Sequence, residues 1–146
     1  MRRGVGKVSR DEIVDAMAGL VLFADLSRPQ LAAAAHTFEE EWFSEGQRIL
    51  RQGFTGSNFY VILEGEAAVK INGETRATLA RGEFFGEVSV LLGEAPTADV
   101  VALRPLRCMV LAGPDTQSFL IAYPKVMYRI LQAQARRLRT ANLWRG

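Results

Sequence analysis

The stretch Arg81-Gly82-Glu83-Phe84-Phe85-Gly86-Glu87-Val88-Ser89-Val90-Leu91-Leu92-Gly93-Glu94-Ala95-Pro96-Thr97-Ala98-Asp99-Val100 decides how this chain is read. It offers a glycine turn, a short helix opening near Glu87, and a second loop that leads into a strand. Orphan backbone N–H groups at a helix start favour an anion, because they point the same way as the helix dipole. A carboxylate in that first turn can accept hydrogen bonds from sugar hydroxyls while nearby amides hold a phosphate. Glycine turns before short helices are common, so the flanking sequence has to carry the assignment.

On both sides of this stretch, glycine punctuates the chain from Trp42 to Leu111, at Gly46, Gly53, Gly56, Gly65, Gly73, Gly82, Gly86 and Gly93. Short β-prone runs lie between, at 47–51, 59–63, 67–71, 75–79, 98–103 and 107–111. Many short strands with turn signals between them predict a sandwich or barrel. Glu64-Gly65-Glu66 and Asn72-Gly73 mark tight turns, the second a strong hairpin signal. Upstream, Ile13, Met17, Leu20 and Val21 recur at helical spacing after Ser9, with Asp11 and Glu12 suited to a helix start. Ser27 is the expected cap of a second helix, with Pro29 in its first turn and residues 31–38 continuing it. Downstream, Asp115 is expected to cap a short helix to about Ala122, and Pro124 to open a longer one to Leu143. Helices, a compact β unit, then helices make an α+β arrangement.

The 146 residues, 49% hydrophobic and 23% charged, fit one domain with a sizeable core and exclude a disordered or collagen-like chain. The longest apolar run, residues 16–24, is far below the ~20 residues that span a bilayer. The basic start at Arg2, Arg3 and Lys7 does not continue as a signal peptide, so no membrane role and a cytoplasmic location are expected. The net charge of +2 divides unevenly: +4 over residues 1–10, −8 over 11–115, and +6 over 116–146. An acidic body with basic ends suits a solvated helix face or contact with an anion.

The pattern resembles the cyclic-nucleotide-binding domain family, which includes cyclic-AMP receptor transcription factors, regulatory subunits of cyclic-nucleotide-dependent kinases and cytoplasmic domains of gated channels. Leu22-Phe23-Ala24-Asp25-Leu26-Ser27 is similar to its opening helix-turn segment. Gly53-Phe54-Thr55-Gly56-Ser57-Asn58-Phe59-Tyr60-Val61-Ile62-Leu63-Glu64-Gly65 is similar to its central hairpin. Phe84-Phe85-Gly86-Glu87 with Pro96-Thr97-Ala98 sits where its phosphate-binding cassette belongs, and residues 136–142 resemble the end of its last helix. The resemblance implies a single domain over 1–146: N-terminal helices to 41, a double-stranded β-helix or jelly-roll-like β-roll over 42–112 with the cassette at 82–98, and C-terminal helices over 115–143. It implies a non-catalytic sensor of cAMP, cGMP or a related small anion, with no other cofactor. The implied ligand-binding residues are Phe85, Gly86, Glu87, Val88, Pro96, Thr97 and Ala98.

Within that set the resemblance gives Glu87 the ribose 2′-hydroxyl, the Gly86 and Ala98 amides the ribose or cyclic phosphate, and Thr97 a guanine or the phosphate. The family's phosphate-binding arginine is missing; ungapped counting puts Pro96 there, which supplies neither charge nor a donor. Losing one charged hydrogen bond weakens binding by roughly 10- to 100-fold. The nearest arginines, Arg81 and Arg104, lie outside the cassette, and Arg76 or Arg104 on neighbouring strands would have to reach in. A degenerate, ligand-free dimerisation or interaction scaffold is the alternative, as is the sensor half of a transcription regulator lacking its DNA-binding domain.

Met127, Leu131, Gln134, Leu138 and Ala141 follow a 4-3-4-3 spacing, a seam that either packs on the chain's own barrel or pairs two subunits. The resemblance favours the homodimer. No sequence-specific DNA contact is expected from residues 1–146; Arg136, Arg137, Arg139 and Arg145 read as a solvated helix end or as contacts to phosphate. The lone His36 lacks partner ligands for a metal. Cys108 reads as a buried small hydrophobe, and Glu39-Glu40-Glu41 as a solvated patch. Ser89 and Ser118 have no base to activate them, and Glu83 with Glu87 suggests no acid–base chemistry. No enzyme is expected.

Overall fold

The structure, a computed structural model, describes residues 10–54 and 56–145. The basic start with Arg2, Arg3, Lys7 and Ser9, and Thr55 of the central hairpin, lie outside the described residues, as do the side chains of Asn142 and Arg145. Helices α1 (Arg10–Ala18) and α2 (Arg28–Ala35), joined through a 3-10 turn at Val21–Phe23, precede eight strands. These are β1 (Glu39–Phe43), β2 (Arg48–Leu50), β3 (Phe59–Glu64), β4 (Ala67–Ile71), β5 (Glu74–Leu79), β6 (Phe84–Phe85), β7 (Asp99–Ala102) and β8 (Leu106–Leu111). Helix α3 (Glu87–Leu92) interrupts the strands after β6, and α4 (Gly113–Ala122) and α5 (Pro124–Arg145) close the chain. Two four-stranded antiparallel sheets, ordered β1-β8-β3-β6 and β2-β7-β4-β5, form the roll.

Local chemistry accounts for most boundaries. Ser27 caps α2 in a reciprocal box: the Gln30 N–H donates to Ser27 Oγ (3.3 Å) and the Ser27 N–H to Gln30 Oε1 (2.8 Å). The helix ends at Ala35 rather than at residue 38, freeing Phe38 to pack edge-on against Phe23 and Phe119. Asn72 (φ 52°) and Gly73 (φ 84°) both take the left-handed conformation that closes a two-residue hairpin between β4 and β5.

Two expectations are corrected. Residues 39–41 are solvated as expected, Glu39 and Glu41 being exposed, but they belong to the roll and not to the N-terminal helices: they are most of β1, paired with β8 from Glu39 opposite Val110 to Phe43 opposite Leu106. Of the three, Glu40 is paired: Arg107 on β8 bonds it and also approaches Glu64 (3.8 Å). Helix α4 starts two residues before Asp115: the cap position is Ala112, without a side-chain cap, and the Gly113 N–H is taken by Asn58 Oδ1 at 3.1 Å.

Strand β3 is buried on both faces because it separates two cores. Phe59, Val61 and Leu63 face the helical layer with Met17, Phe23, Phe119 and Val126, while Tyr60 and Ile62 face the interior of the roll with Leu79, Val100 and Cys108. The same alternation divides β6, sending Phe84 toward the helices and Phe85 into the roll. Burial pushes the Cys108 thiol up to about 12, so it stays protonated at neutral pH and acts as a small apolar side chain. Among the described residues no helix is long and apolar enough to cross a membrane.

Helix α5 is held by Val126 and Ile130 in the helical core and by a two-pronged bridge, Arg129 Nε to Asp25 Oδ2 (2.8 Å) and Arg129 NH2 to Asp25 Oδ1 (3.1 Å). The hydrogen bond and charge of Arg129 hold the Asp25 carboxyl below the usual carboxylate value. Because the folded value is depressed, the bridge's contribution is present above the unfolded pKa of about 3.9 and is lost as pH falls through the folded one. The melting-temperature difference between wild type and Asp25→Asn is therefore expected to be constant above about pH 5 and to disappear below the folded pKa. A difference that persists in acid would assign it to something other than the bridge.

Candidate functional site

The site is built where β6 turns into α3. Gly86 sits at φ 89°, ψ −11°, and an added Cβ would lie 2.1 Å from the Asn58 carbonyl oxygen, so the turn admits only glycine. The close approach fixes β6 against β3, where Phe85 stacks on Tyr60 with ring centroids 4.6 Å apart and planes within 7°. The next residue, Glu87, is thereby carried inward and is only 4% exposed. The opposite wall comes from the loop before β7, pinned because the Gly53 N–H donates to the Pro96 carbonyl (2.9 Å) and the Gln52 N–H to Asp99 Oδ1 (2.7 Å).

Phe85, Gly86, Glu87, Val88, Pro96, Thr97 and Ala98 all line one cavity of about 220 Å³ between this turn and the loop. Leu50, Val69, Leu79 and Val100 make its remaining wall apolar. Pro96 is buried there and brings no charge, as its identity requires. Ser89 also borders the cavity, but its hydroxyl is bonded to Ser57 Oγ (3.1 Å) and to the Glu94 carbonyl. Arg76 and Arg104 do not enter; they pair with Glu74 (3.7 Å) and Glu66 (3.5 Å) on the roll's exterior.

The cation that does enter comes from α5. Arg137 NH1 donates to Glu87 Oε2 at 2.9 Å and Arg137 NH2 to the Phe84 carbonyl at 3.2 Å, with the guanidinium 4.7 Å over the Phe84 ring. Gln134 Nε2 donates to the same Glu87 Oε2. Reading the arginines as a solvated helix end therefore missed Arg137, and reading Gln134 as a seam residue missed its contact with the carboxylate. One signal in the sequence does mark Arg137: Val126, Ile130 and Ala133 form the helix's inward stripe at 4-3 spacing, and the next position on it is Arg137. Of the seam, Met127, Leu131 and Leu138 are exposed, so they do not pack on the chain's own barrel. Outside the cavity, on the other side of Phe84 and Arg137, lies an open groove of about 650 Å³ that also meets Arg81, Arg129 and Arg136 but no residue of the 96–98 loop.

An apolar-walled cavity with one buried carboxylate, roofed by the end of a long helix, has the form of a small-molecule site on a β-roll. The family model of the cyclic nucleotide-binding domain matches residues 40–123, and the chain belongs to that family. It is 32% identical over 107 residues to the cGMP-dependent protein kinase egl-4 of Caenorhabditis briggsae, covering 69% of this chain and 14% of that protein. It is 34% identical over 114 residues to the cGMP-dependent protein kinase, isozyme 1, of Drosophila melanogaster, covering 73% and 14%. Its fold matches the catabolite activator protein of Thermus thermophilus with a TM-score of 0.75 and 29% identity, over 84% of this chain and 60% of that one. The chain thus corresponds to a small part, about 14%, of the kinases it resembles.

Proposed function

We propose that this chain is a non-catalytic sensor that seats a cyclic nucleotide, cAMP or cGMP, in the cavity between the Gly86–Glu87 turn and the 96–98 loop. One observation carries the reading. Glu87 is almost wholly buried, its Oε2 accepts both donors from α5, and its Oε1 has no donor among the described residues. A buried carboxylate oxygen without a partner is costly, and a ribose hydroxyl is the donor that relieves it. The cavity is smaller than the roughly 300–1,000 Å³ usual for small-ligand sites, so seating a nucleotide requires the α5 end to yield. Its displacement is the output, and it is regulatory to the extent that the ligand prefers one helix position. The exposed Met127, Leu131 and Leu138 on α5 suit a second copy of the chain as the element that reads this movement. A cytoplasmic location belongs to the same proposal.

Pro96→Arg restores a cation at the loop and keeps the carbonyl that Gly53 binds. Calorimetric titration with cAMP and cGMP is expected to show micromolar binding by wild type and roughly 10- to 100-fold tighter binding by Pro96→Arg. Absence of binding by both proteins sinks the sensor reading. A second reading, a ligand-free scaffold, is favoured by the fact that Arg137 and Gln134 already occupy Glu87 Oε2. Micromolar wild-type binding excludes it.

A further inference from the structure

We propose that Arg137, on the last helix, is the residue that meets the anionic group of the ligand, in place of a cation from the 96–98 loop; the inference rests on the pocket reading above. Of the described residues that line the cavity, only Glu87 and Arg137 are charged. A ligand carrying a negative charge therefore has one positive partner within reach, and it sits beside the carboxylate that would take the ligand's hydroxyl.

Arg137 is held in place before any ligand arrives. Its NH1 is fixed on Glu87 and its NH2 on the Phe84 carbonyl, with Cζ 4.7 Å from the centroid of the Phe84 ring. Those contacts use two of the five N–H donors of a guanidinium, leaving three free to donate to a phosphate's oxygens. Holding the group in advance lowers the ordering cost of binding. The hydroxyl can bond Glu87 Oε1 while the long Arg137 side chain follows the shift of the α5 end that seating the nucleotide requires and keeps its bond to Oε2. The side chain is 40% exposed and borders both the cavity and the outer groove, so it is open to solvent as well as to the cavity. Because the charge is delivered by α5, the ligand's anion and the helix position become one event. A loop cation would hold the ligand without engaging the helix.

The test pairs charged and uncharged probes: cAMP and cGMP against adenosine and guanosine, titrated by calorimetry into wild type, Arg137→Gln, Arg137→Lys and Pro96→Arg. Arg137→Gln keeps an amide that can donate to Glu87, and its circular dichroism and melting temperature establish that it folds. The expected result is a loss of about 10-fold or more in cyclic-nucleotide affinity for Arg137→Gln, with nucleoside affinity changed by less than about 3-fold and Arg137→Lys in between. Equal losses for both probe types overturn the proposal, since Arg137 would then only shape the pocket. A gain for both overturns it as well, because Arg137 would then be a plug. If Pro96→Arg binds cyclic nucleotide and wild type does not, the assignment to Arg137 and the sensor reading of the natural chain both fail, and only the position of the cavity as a nucleotide site stands. If neither binds, that fails as well.

Discussion

Replacing Gly86 with alanine is expected to destabilise the protein by about 3 kcal/mol or more, the largest cost of any single methyl group at this site. Two terms add. The left-handed backbone at φ 89° penalises any Cβ by roughly 1–2 kcal/mol. The new Cβ also lies 2.1 Å from the Asn58 oxygen and 3.3 Å from Tyr60 Cδ1. The first of these is a backbone atom of the segment entering β3, so relief requires moving β6 or β3 rather than rotating a side chain. In a domain of this size the melting temperature should fall by about 10 °C. Cyclic-nucleotide binding should be lost with it, because the same shift withdraws Glu87. A melting temperature within about 2 °C of wild type would show that the turn is not held as tightly as the geometry requires.

Glu87→Ala is expected to weaken ligand binding by about 10- to 100-fold or more in calorimetric titration without the distortion of the fold expected for Gly86→Ala. It removes the free Oε1 and also releases Gln134 and Arg137 from Oε2. Because Arg137 is 40% exposed, its charge can rehydrate, so the stability cost should stay well below the roughly 3–5 kcal/mol of breaking a fully buried pair. The end of α5 should loosen, with faster amide exchange over residues 134–141 and little change over 124–130, which Val126, Ile130 and the Asp25 bridge retain. Unchanged exchange at 134–141 would mean that the carboxylate does not hold the helix end.

Much of the fold was legible because its signals are local. The capping box at Ser27 and Gln30, the Asn72-Gly73 hairpin and the apolar run of β3 each state a conformation within a few residues. What was illegible depends on partners distant in sequence. The three glutamates of β1 form a strand only because β8 lies beside them and Arg107 answers Glu40. Two-residue β6 carries no periodicity at all; its strand character comes from pairing with Tyr60 and Val61. The pocket shows the same division. The residues expected on the cassette side line one cavity, because turn and loop are contiguous motifs. Arg137 was read as part of a helix end and Gln134 as a seam residue because the carboxylate they meet lies 50 and 47 residues earlier in the chain. A charged side chain continuing a core-facing stripe, as Arg137 continues Val126, Ile130 and Ala133, is the signal that such reading should not pass over.

Strand β3, buried on both faces, has a consequence for how this protein would report its ligand. Tyr60 and Ile62 belong to one core and Phe59, Val61 and Leu63 to the other, so neither core can melt while the other keeps its shared wall. The expectation is a single cooperative thermal transition for roll and helices together. By mass action, a ligand bound only to the native state then raises the midpoint of the whole chain, by about 2.7 kcal/mol of added stability at a hundredfold excess over Kd. An ordinary melting curve, followed far from the pocket, becomes a binding assay.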